Sequence, residues 1–412
     1  MSTVNVALLG LGTVGTGVYE TIKSHEEQLQ GVIGKKVSVQ AVLIKDASKK
    51  RDVAGDVLVT DRFEEILELG TIEVVLEATG GLEPAFTYLK QALQKGCHVI
   101  TANKEMYAYH GEELEMIAAQ HAVSVRFEAT VAGGVPIIQT LQHLVNVNRV
   151  KKIQGILNGT SNFILTTMRE EGLPFSEALK MAQHLGYAEA DPTNDIEGYD
   201  AFYKLMILSR VSYGMQPVWN AVDRSGISFI TSEQIRLASE VGLRFKHIAE
   251  IEYGPDGLKG TVKPVLVADT HPFYHIEGVD NAINIEGDIV GNITLQGPGA
   301  GKLPTASAMI EDLVQVVKNR QPITGPLHRE VPAHAGGDDY PTWLLFSEHG
   351  FSHKDLAGFK SASLLHEKAV IVKAEAGKLE SYFSAARPVA AYAVEGNIAL
   401  ESLPLASGLH YN

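Results

Sequence analysis

Residues 4–9 (VNVALL) are apolar and largely β-branched, and the chain then turns through Gly10-Leu11-Gly12-Thr13-Val14-Gly15 into VYETIKSHEEQLQ, a run of helical character. Strand, G-x-G-x-x-G and helix in this order restrict the fold more than any other feature of the chain. The glycines let the backbone turn sharply and approach a pyrophosphate, whose charge settles on the helix N-terminus. A lone glycine pattern is weak, but here it follows a strand and opens a helix, the context that a dinucleotide site requires. A tight turn without a ligand is the competing reading.

Strands and helices keep alternating to about residue 136, with strands at 37–44, 72–76, 98–100 and 123–127 and helices at about 84–95 and up to Gln120. The pattern predicts an α/β fold, a Rossmann-like doubly wound parallel sheet. Ligands of such sheets lie past the carboxyl ends of the strands, and four segments come into view there. Past residue 44 stand Lys45 and Asp46, then Lys49, Lys50 and Arg51. An acid at that place would bind the ribose 2′-OH and a base would accept a 2′-phosphate, so the excess of cations favours NADP over NAD. The plain alternative is a solvated loop. Past residue 76 come Glu77-Ala78-Thr79-Gly80-Gly81, with small residues suited to packing on a cofactor. Past residue 100 comes Asn103-Lys104, which makes Lys104 either an active-site lysine or a solvated loop residue. Past residue 127, Glu128-Ala129-Thr130-Val131-Ala132-Gly133-Gly134-Val135-Pro136 is an irregular turn whose carbonyls can converge on a monovalent cation, or simply a turn.

Beyond residue 136 the organisation changes. A strand at 150–157 leads into Asn158-Gly159-Thr160-Ser161-Asn162 and a helix, and Ser176 is expected to cap a helix running to Leu185 and stopping at Gly186. Strands at 260–267, 281–286 and 291–296 predict an open mixed sheet forming a substrate domain. Gly297-Pro298-Gly299-Ala300-Gly301 then opens a helix at 304–318 that returns to the first domain. The expected division is 1–136 with about 300–320, then 137–299, then a small C-terminal α+β module at 340–412 after a Pro- and Gly-bearing linker at 321–339. Within that tail a helix is expected at 377–383, and His349, His353 and His366 lack metal-ligand spacing.

The stretch GYAEADPTNDIEGYDAFYK, residues 186–204, packs five carboxylates (Glu189, Asp191, Asp195, Glu197, Asp200) ahead of an apolar run interrupted by one cation, Lys204. Asp200 and Lys204 are spaced i,i+4 with the acid N-terminal, the favoured orientation on one helix face. A lysine held among carboxylates in an apolar setting is a candidate proton-transfer group; an ordinary helical ion pair is the alternative.

Charge and cysteine content narrow the partners. A formal net charge of −14 disfavours nucleic acid or an anionic membrane surface as main partner. The single cysteine, Cys97, excludes an intrachain disulfide and fits a reducing compartment. Without a basic leader or a long apolar segment, the expectation is a soluble cytoplasmic protein.

With these residues in view, the chain resembles the homoserine dehydrogenase family over about residues 4–318. LGYAEADPTNDIEGYDAFYK, NGTSNFIL, GPGAGKLPTASA and ITANKE stand in that family's order and spacing. The resemblance implies interconversion of L-homoserine and L-aspartate 4-semialdehyde with NADP or NAD, on the route toward threonine, methionine and isoleucine. By position it implies Lys204 as the proton-transfer lysine acting with Asp200, Lys104 as a lysine near nicotinamide and substrate, Glu189 at the substrate amino group and Asp195 as a further substrate-site acid. It also implies a sodium-like ion (Na+ or K+) at Glu128, Val131, Gly133 and Val135, held largely by main-chain oxygens. Cofactor positions fall on the glycine turn (Gly10, Leu11, Gly12, Thr13, Val14, Gly15) and on Lys45, Thr79, Lys104 and Gly301. Members are commonly dimers through the second domain. Longer members carry an ACT domain with a D-x-P-G turn, and from that pattern the tail departs, offering only Ser347-Glu348-His349-Gly350. Two rivals remain. A phosphorylating semialdehyde dehydrogenase needs a cysteine nucleophile, and Cys97 sits in an expected buried strand. A dinucleotide sensor has no use for the lysines and acids together.

Overall fold

The computed structural model describes residues 2–46, 51–254, 257–318, 340–351, 361–375, 389–398 and 410–411, with Leu356, Phe359 and Leu379. The first sheet contains β1 (Thr3–Leu9), β2 (Lys36–Leu43), β3 (Leu58–Thr60), β4 (Val74–Glu77), β5 (His98–Thr101) and β6 (Val125–Arg126), in the order β3-β2-β1-β4-β5-β6. Every pairing is parallel. Alternate residues of its strands enter different cores. Val6, Leu8 and Leu76 pack with Val18 and Met309 of the Thr13–Ser24 and Lys302–Val317 helices. Ala7, Leu9 and Val75 pack with Leu89 and Leu114 of the Ala85–Gln94 and Lys104–Gln120 helices. Burial on both faces is why these strands read as continuous apolar runs. The strand order reverses between β1 and β4, and a crevice opens there at their carboxyl ends.

The second sheet contains β7 (Val150–Ile156), β8 (Asp223–Arg224), β9 (Arg244–Gly254), β10 (Gly257–Val267), β11 (Asp280–Gly287), β12 (Gly291–Pro298), β13 (Thr342–Ser347), β14 (Ser361–His366), β15 (Ala369–Lys373), β16 (Val389–Glu395) and β17 (His410–Tyr411). Its main path is β12-β11-β7-β9-β10-β16-β13-β15-β14-β17, with β8 beside β10. The Tyr199–Tyr213 helix lies on one face, where Leu205 and Leu208 share a core with Ile153, Ile251 and Val262. The strands of the tail continue this sheet: β16 pairs in parallel with β10 through Leu266↔Val394 and Val267↔Glu395. Leu344, Ile371 and Tyr392 share a core with Ile227 and Leu266. Among the described residues, no helix is long and apolar enough to cross a membrane.

Several local expectations are corrected. The helix assigned to a Ser176 cap starts at Phe175, after Pro174 in extended backbone, so Ser176 lies inside the first turn. β4 is displaced from 72–76 because its register with β1, ending in Leu9↔Glu77, draws Glu77 into the sheet. The helix expected from residue 304 begins at Lys302, and Pro304 is tolerated in the first turn, whose amides have no intrahelical partner. β9 and the Ser232–Glu240 helix had no counterpart in the sequence reading. β9 is masked by charges, which find partners only in the fold: Lys246 on Glu277 and Glu250 on Lys152. The linker at 321–339 lies outside the described residues, as does the helix at 377–383 apart from Leu379.

Candidate active site

The glycine turn has the shape that a pyrophosphate needs. Gly10 adopts φ +92°, and a Cβ there would lie 2.8 Å from the Ala78 carbonyl oxygen. A Cβ on Gly15 would come within 2.0 Å of the Gly10 carbonyl oxygen, so these two glycines close the turn. Gly12 differs: it caps the Thr13–Ser24 helix at φ −79°, and nothing lies within 4 Å of where its Cβ would be. Its bare face fronts the amides of Thr13, Val14 and Gly15, which precede the first intrahelical bond, Thr16 N–H to Gly12 O at 2.9 Å. Leu11 anchors the same turn through its carbonyl, which accepts the Thr16 hydroxyl at 3.3 Å.

Past the carboxyl end of β2 Lys45 is exposed, with Asp46 beside it. Arg51 is exposed as well, while Lys49 and Lys50 lie outside the described residues. Past the carboxyl end of β4, Thr79 is held by Glu77, whose Oε1 accepts Thr79 N–H at 2.7 Å and the Thr79 hydroxyl at 2.5 Å. Glu77 Oε2 accepts the Thr101 hydroxyl at 2.5 Å. Burial pushes the Glu77 carboxyl up, against the hydrogen bonds from Thr101 and Thr79. Asn103 caps the next helix through Met106 N–H at 3.1 Å and ties Gly81 O at 2.7 Å, which aims Lys104 into the crevice from that helix's first residue.

There Lys104 meets the acidic stretch. Gly198, at φ +78° and with His247 and Val262 so placed that a Cβ would lie 3.0 and 3.2 Å from them, starts the Tyr199–Tyr213 helix. Asp200 therefore occupies the first turn, where a carboxylate is favoured, with Lys204 one turn on. Asp200 Oδ1 lies 2.5 Å from Lys104 Nζ, and Oδ2 lies 2.7 Å from Lys204 Nζ. Lys204 also donates to Leu157 O at 2.6 Å. The side-chain amide of Asn158 bridges Asp195 at 2.7 Å and Asp200 at 2.9 Å.

The lysines differ in surroundings. Lys204 exposes 9% of its side chain and Lys104 43%. Burial lowers the Lys204 ammonium against the opposing pull of Asp200, whereas Asp200, followed by the more distant Asp195 and Glu189, raises Lys104 despite its own desolvation. Burial would raise Asp200, but the two ammoniums overcome it and hold the carboxyl well below the usual range. Asp195 is pushed up by burial and by Asp200. Glu189 is exposed at the edge of this cluster.

The other two acids of the stretch have partners outside this cluster. Asp191 accepts Thr193 N–H at 3.1 Å and its hydroxyl at 2.6 Å, and Glu197 accepts the Ser228 hydroxyl at 2.9 Å.

The irregular turn lies beside the same crevice. Ala132 (φ 54°) and Gly133 (φ 50°) are successive left-handed residues, a strained conformation for alanine. Val131, Gly133 and Val135 are buried. The Glu128 carboxylate is committed to the Ile137–Leu144 helix, accepting Ile138 N–H and Gln139 N–H, each at 2.9 Å. Ligation here would therefore fall on main-chain oxygens. Gly301 (φ 125°) caps the Lys302–Val317 helix across from the glycine turn, and Lys302 pairs with Glu20 at 2.6 Å. Among the described residues no cluster of His, Cys, Asp and Glu suits a metal.

The fold thus gathers Lys104, Asp195, Asp200 and Lys204 into one bonded cluster with Glu189 at its edge, and leaves Lys45 outside it, past the end of β2. Asn158 and Glu77 were not among the residues expected from the sequence to have a role. Asn158 carried a signal, since it precedes a helix as an N-cap residue. Glu77 carried none: Thr79 lies only two residues on, but the Thr101 hydroxyl reaches Glu77 from the neighbouring strand β5.

Two family models match the chain: one described as homoserine dehydrogenase, over residues 136–314, and one as the homoserine dehydrogenase NAD binding domain, over residues 10–128. A homoserine dehydrogenase of Bacillus subtilis is 42% identical over 328 residues, covering 79% of this chain and 76% of the relative. A homoserine dehydrogenase structure from Thiobacillus denitrificans superposes with a TM-score of 0.85 at 33% identity, over 96% of this chain and 98% of the other. A hyperthermophilic archaeal homoserine dehydrogenase in complex with NADPH superposes with a TM-score of 0.67 at 29% identity, over 79% of this chain and 100% of the other.

Proposed function

We infer that this chain, which belongs to the homoserine dehydrogenase family, is an NAD(P)-dependent oxidoreductase that interconverts L-homoserine and L-aspartate 4-semialdehyde. The observation that carries the site assignment is the Asp200 carboxylate, held between Lys104 and Lys204 at the mouth of the nucleotide crevice. The nicotinamide, when bound, takes or supplies the hydride. The protein's own groups orient the substrate and handle one proton on its oxygen. Lys204 is the acid/base. Two of its N–H bonds are fixed on Leu157 O and Asp200, which leaves one for the substrate oxygen. In reduction its ammonium protonates the developing alkoxide, and in oxidation the neutral amine takes the hydroxyl proton. Burial lowers this lysine and brings its amine form toward the working pH. Lys104, raised by Asp200, stays charged and polarises the same oxygen. Glu189 and Asp195 face the substrate ammonium, which selects an amino acid over a plain hydroxy acid.

NADP is the favoured cofactor on this reading, supported by exposed Lys45 past the end of β2. The turn at Glu128, Val131, Gly133 and Val135 is the place for Na+ or K+, supported by its buried, left-handed backbone. Residues 1–136 with about 300–320 are read as the dinucleotide half, 137–299 as the substrate and dimerisation half, and 340–412 as a small C-terminal α+β module whose described strands continue the second sheet. A cytoplasmic homodimer or higher oligomer completes the reading. The oligomer is supported by two exposed apolar residues, Val147 (73% exposed) and Ile289 (72% exposed), each next to a residue of the Val290 N–H to Asn148 Oδ1 bond at 3.0 Å. Following reduced-nicotinamide absorbance with homoserine plus NADP, and separately plus NAD, tests activity and cofactor choice. Tight cofactor binding without turnover by either would favour a sensor instead.

A further inference from the structure

Asn281 is 1% exposed and takes no part in the roles assigned above. Its amide Nδ2 donates to Leu157 O at 3.0 Å, the carbonyl that also accepts Lys204 Nζ at 2.6 Å. The amide is walled in, since a Cβ on Gly299 would lie 2.0 Å from Asn281 Cγ. Gly299 is itself backed by the irregular turn, where a Cβ on Gly133 would lie 2.6 Å from Gly299 O. Asn281 Oδ1 has no hydrogen-bond partner among the described residues and is sealed from solvent. A buried acceptor left open is a cost that an apolar side chain would avoid, so the use of this residue lies in its donor end.

We propose that Asn281 is a positioning residue for Lys204, acting through the Leu157 carbonyl. The inference rests on the reading of Lys204 as acid/base. A carbonyl oxygen offers two lone pairs; Asn281 occupies one, fixes the direction of the other, and limits how strongly the carbonyl favours the charged lysine. The ionisable groups facing Lys204 are Asp200 on its own helix, Lys104 on the Lys104–Gln120 helix and Asp195 on the Thr193–Ile196 helix. The hydrogen bond of Asn281 goes to none of them, so among the polar partners of Lys204 its replacement alters the Leu157 anchor alone. Without the amide, the whole carbonyl serves the ammonium, which then loses its proton at higher pH.

The test is the pH profile of kcat for homoserine oxidation by the full chain. Asn281→Ala is expected to lower kcat several-fold near neutral pH, leave KM for homoserine within about twofold, and move the midpoint of the rising limb up by roughly half a pH unit. Asn281→Asp keeps the shape but adds negative charge, so it should move the midpoint further in the same direction. It also serves if the alanine variant folds poorly. An unmoved midpoint in both variants, with only the melting temperature lowered, overturns the proposal and leaves Asn281 a packing residue. Lys204→Met separates the two readings: if it keeps near-normal turnover, the acid/base assignment itself fails; if it abolishes turnover while the Asn281 midpoints stay put, only the present inference fails.

Discussion

Lys104 Nζ and Asp200 Oδ1 meet at 2.5 Å, joining the first turns of two helices from opposite sides of the crevice. The contact makes a single carboxylate the counter-ion of two lysines, because Lys204 holds the other oxygen. Asp200→Asn should therefore act on both. Losing the charge that opposes desolvation, Lys204 would become neutral at still lower pH. The rising limb of homoserine oxidation should move down by about one pH unit, and semialdehyde reduction at pH 7 should fall at least about tenfold for want of an acid. An upward shift of that limb would contradict the assignment.

Lys204→Ala and Glu189→Ala should fail in different ways. Removing the proton-transfer group should cost kcat about a hundredfold or more, while removing a contact to the substrate ammonium should chiefly raise KM for homoserine. Steady-state kinetics with saturating cofactor separates the two. Near-normal turnover by the Lys204 variant would remove its catalytic role.

Gly12 and Gly15 offer a contrast within one turn. Gly12→Ala meets open space at an ordinary φ, so the melting temperature should stay within about 2 °C, but the methyl group stands where the pyrophosphate approaches, and dinucleotide affinity should fall about tenfold or more. Gly15→Ala places Cβ 2.0 Å from Gly10 O and should destabilise the fold itself. Thermal unfolding beside a cofactor titration distinguishes them, and a Gly12→Ala variant binding NADP normally would move the phosphate site elsewhere.

Lys45→Glu should weaken NADP much more than NAD, because it places a carboxylate where the 2′-phosphate is expected. The ratio of kcat/KM for the two cofactors reads this directly. An unchanged ratio would return Lys45 to the solvated loop.

His247 gives the fold an acid limit. Burial lowers it to about 4, with Nε2 on Ser225 O at 2.9 Å, whereas an unfolded histidine titrates near about 6.5. Between those values the unfolded chain binds a proton that the folded chain refuses. The stability from this group is thus complete above about pH 6.5 and lost as pH falls toward 4, on the order of 3 kcal/mol in all. Urea midpoints for His247→Gln should flatten in that window relative to the parent, and parallel curves would show that another group sets the limit.

Much of this was legible in advance. Near-continuous apolar strands, the glycine turn and the i,i+4 pair of Asp200 and Lys204 are local patterns, and their form depends little on the rest of the chain. β9 was not legible, because Lys246 and Glu250 look like surface charges until Glu277 and Lys152 neutralise them. The tail was hidden for a related reason. Its strand β16 pairs with β10 and residues of the tail share a core with Ile227 and Leu266, so its order depends on residues far away in the chain.

By itself, then, the sequence determined the doubly wound sheet, the position of the glycine turn after β1 and the acids and lysine of residues 186–204, since each follows from neighbours a few residues apart. Only the tertiary structure decided which of two lysines is buried and which stays open. It also placed Asp200 between them and brought Asn158 and Asn281 onto the site. A side chain's desolvation and its partners are set by what packs around it, and here those groups arrive from both sheets.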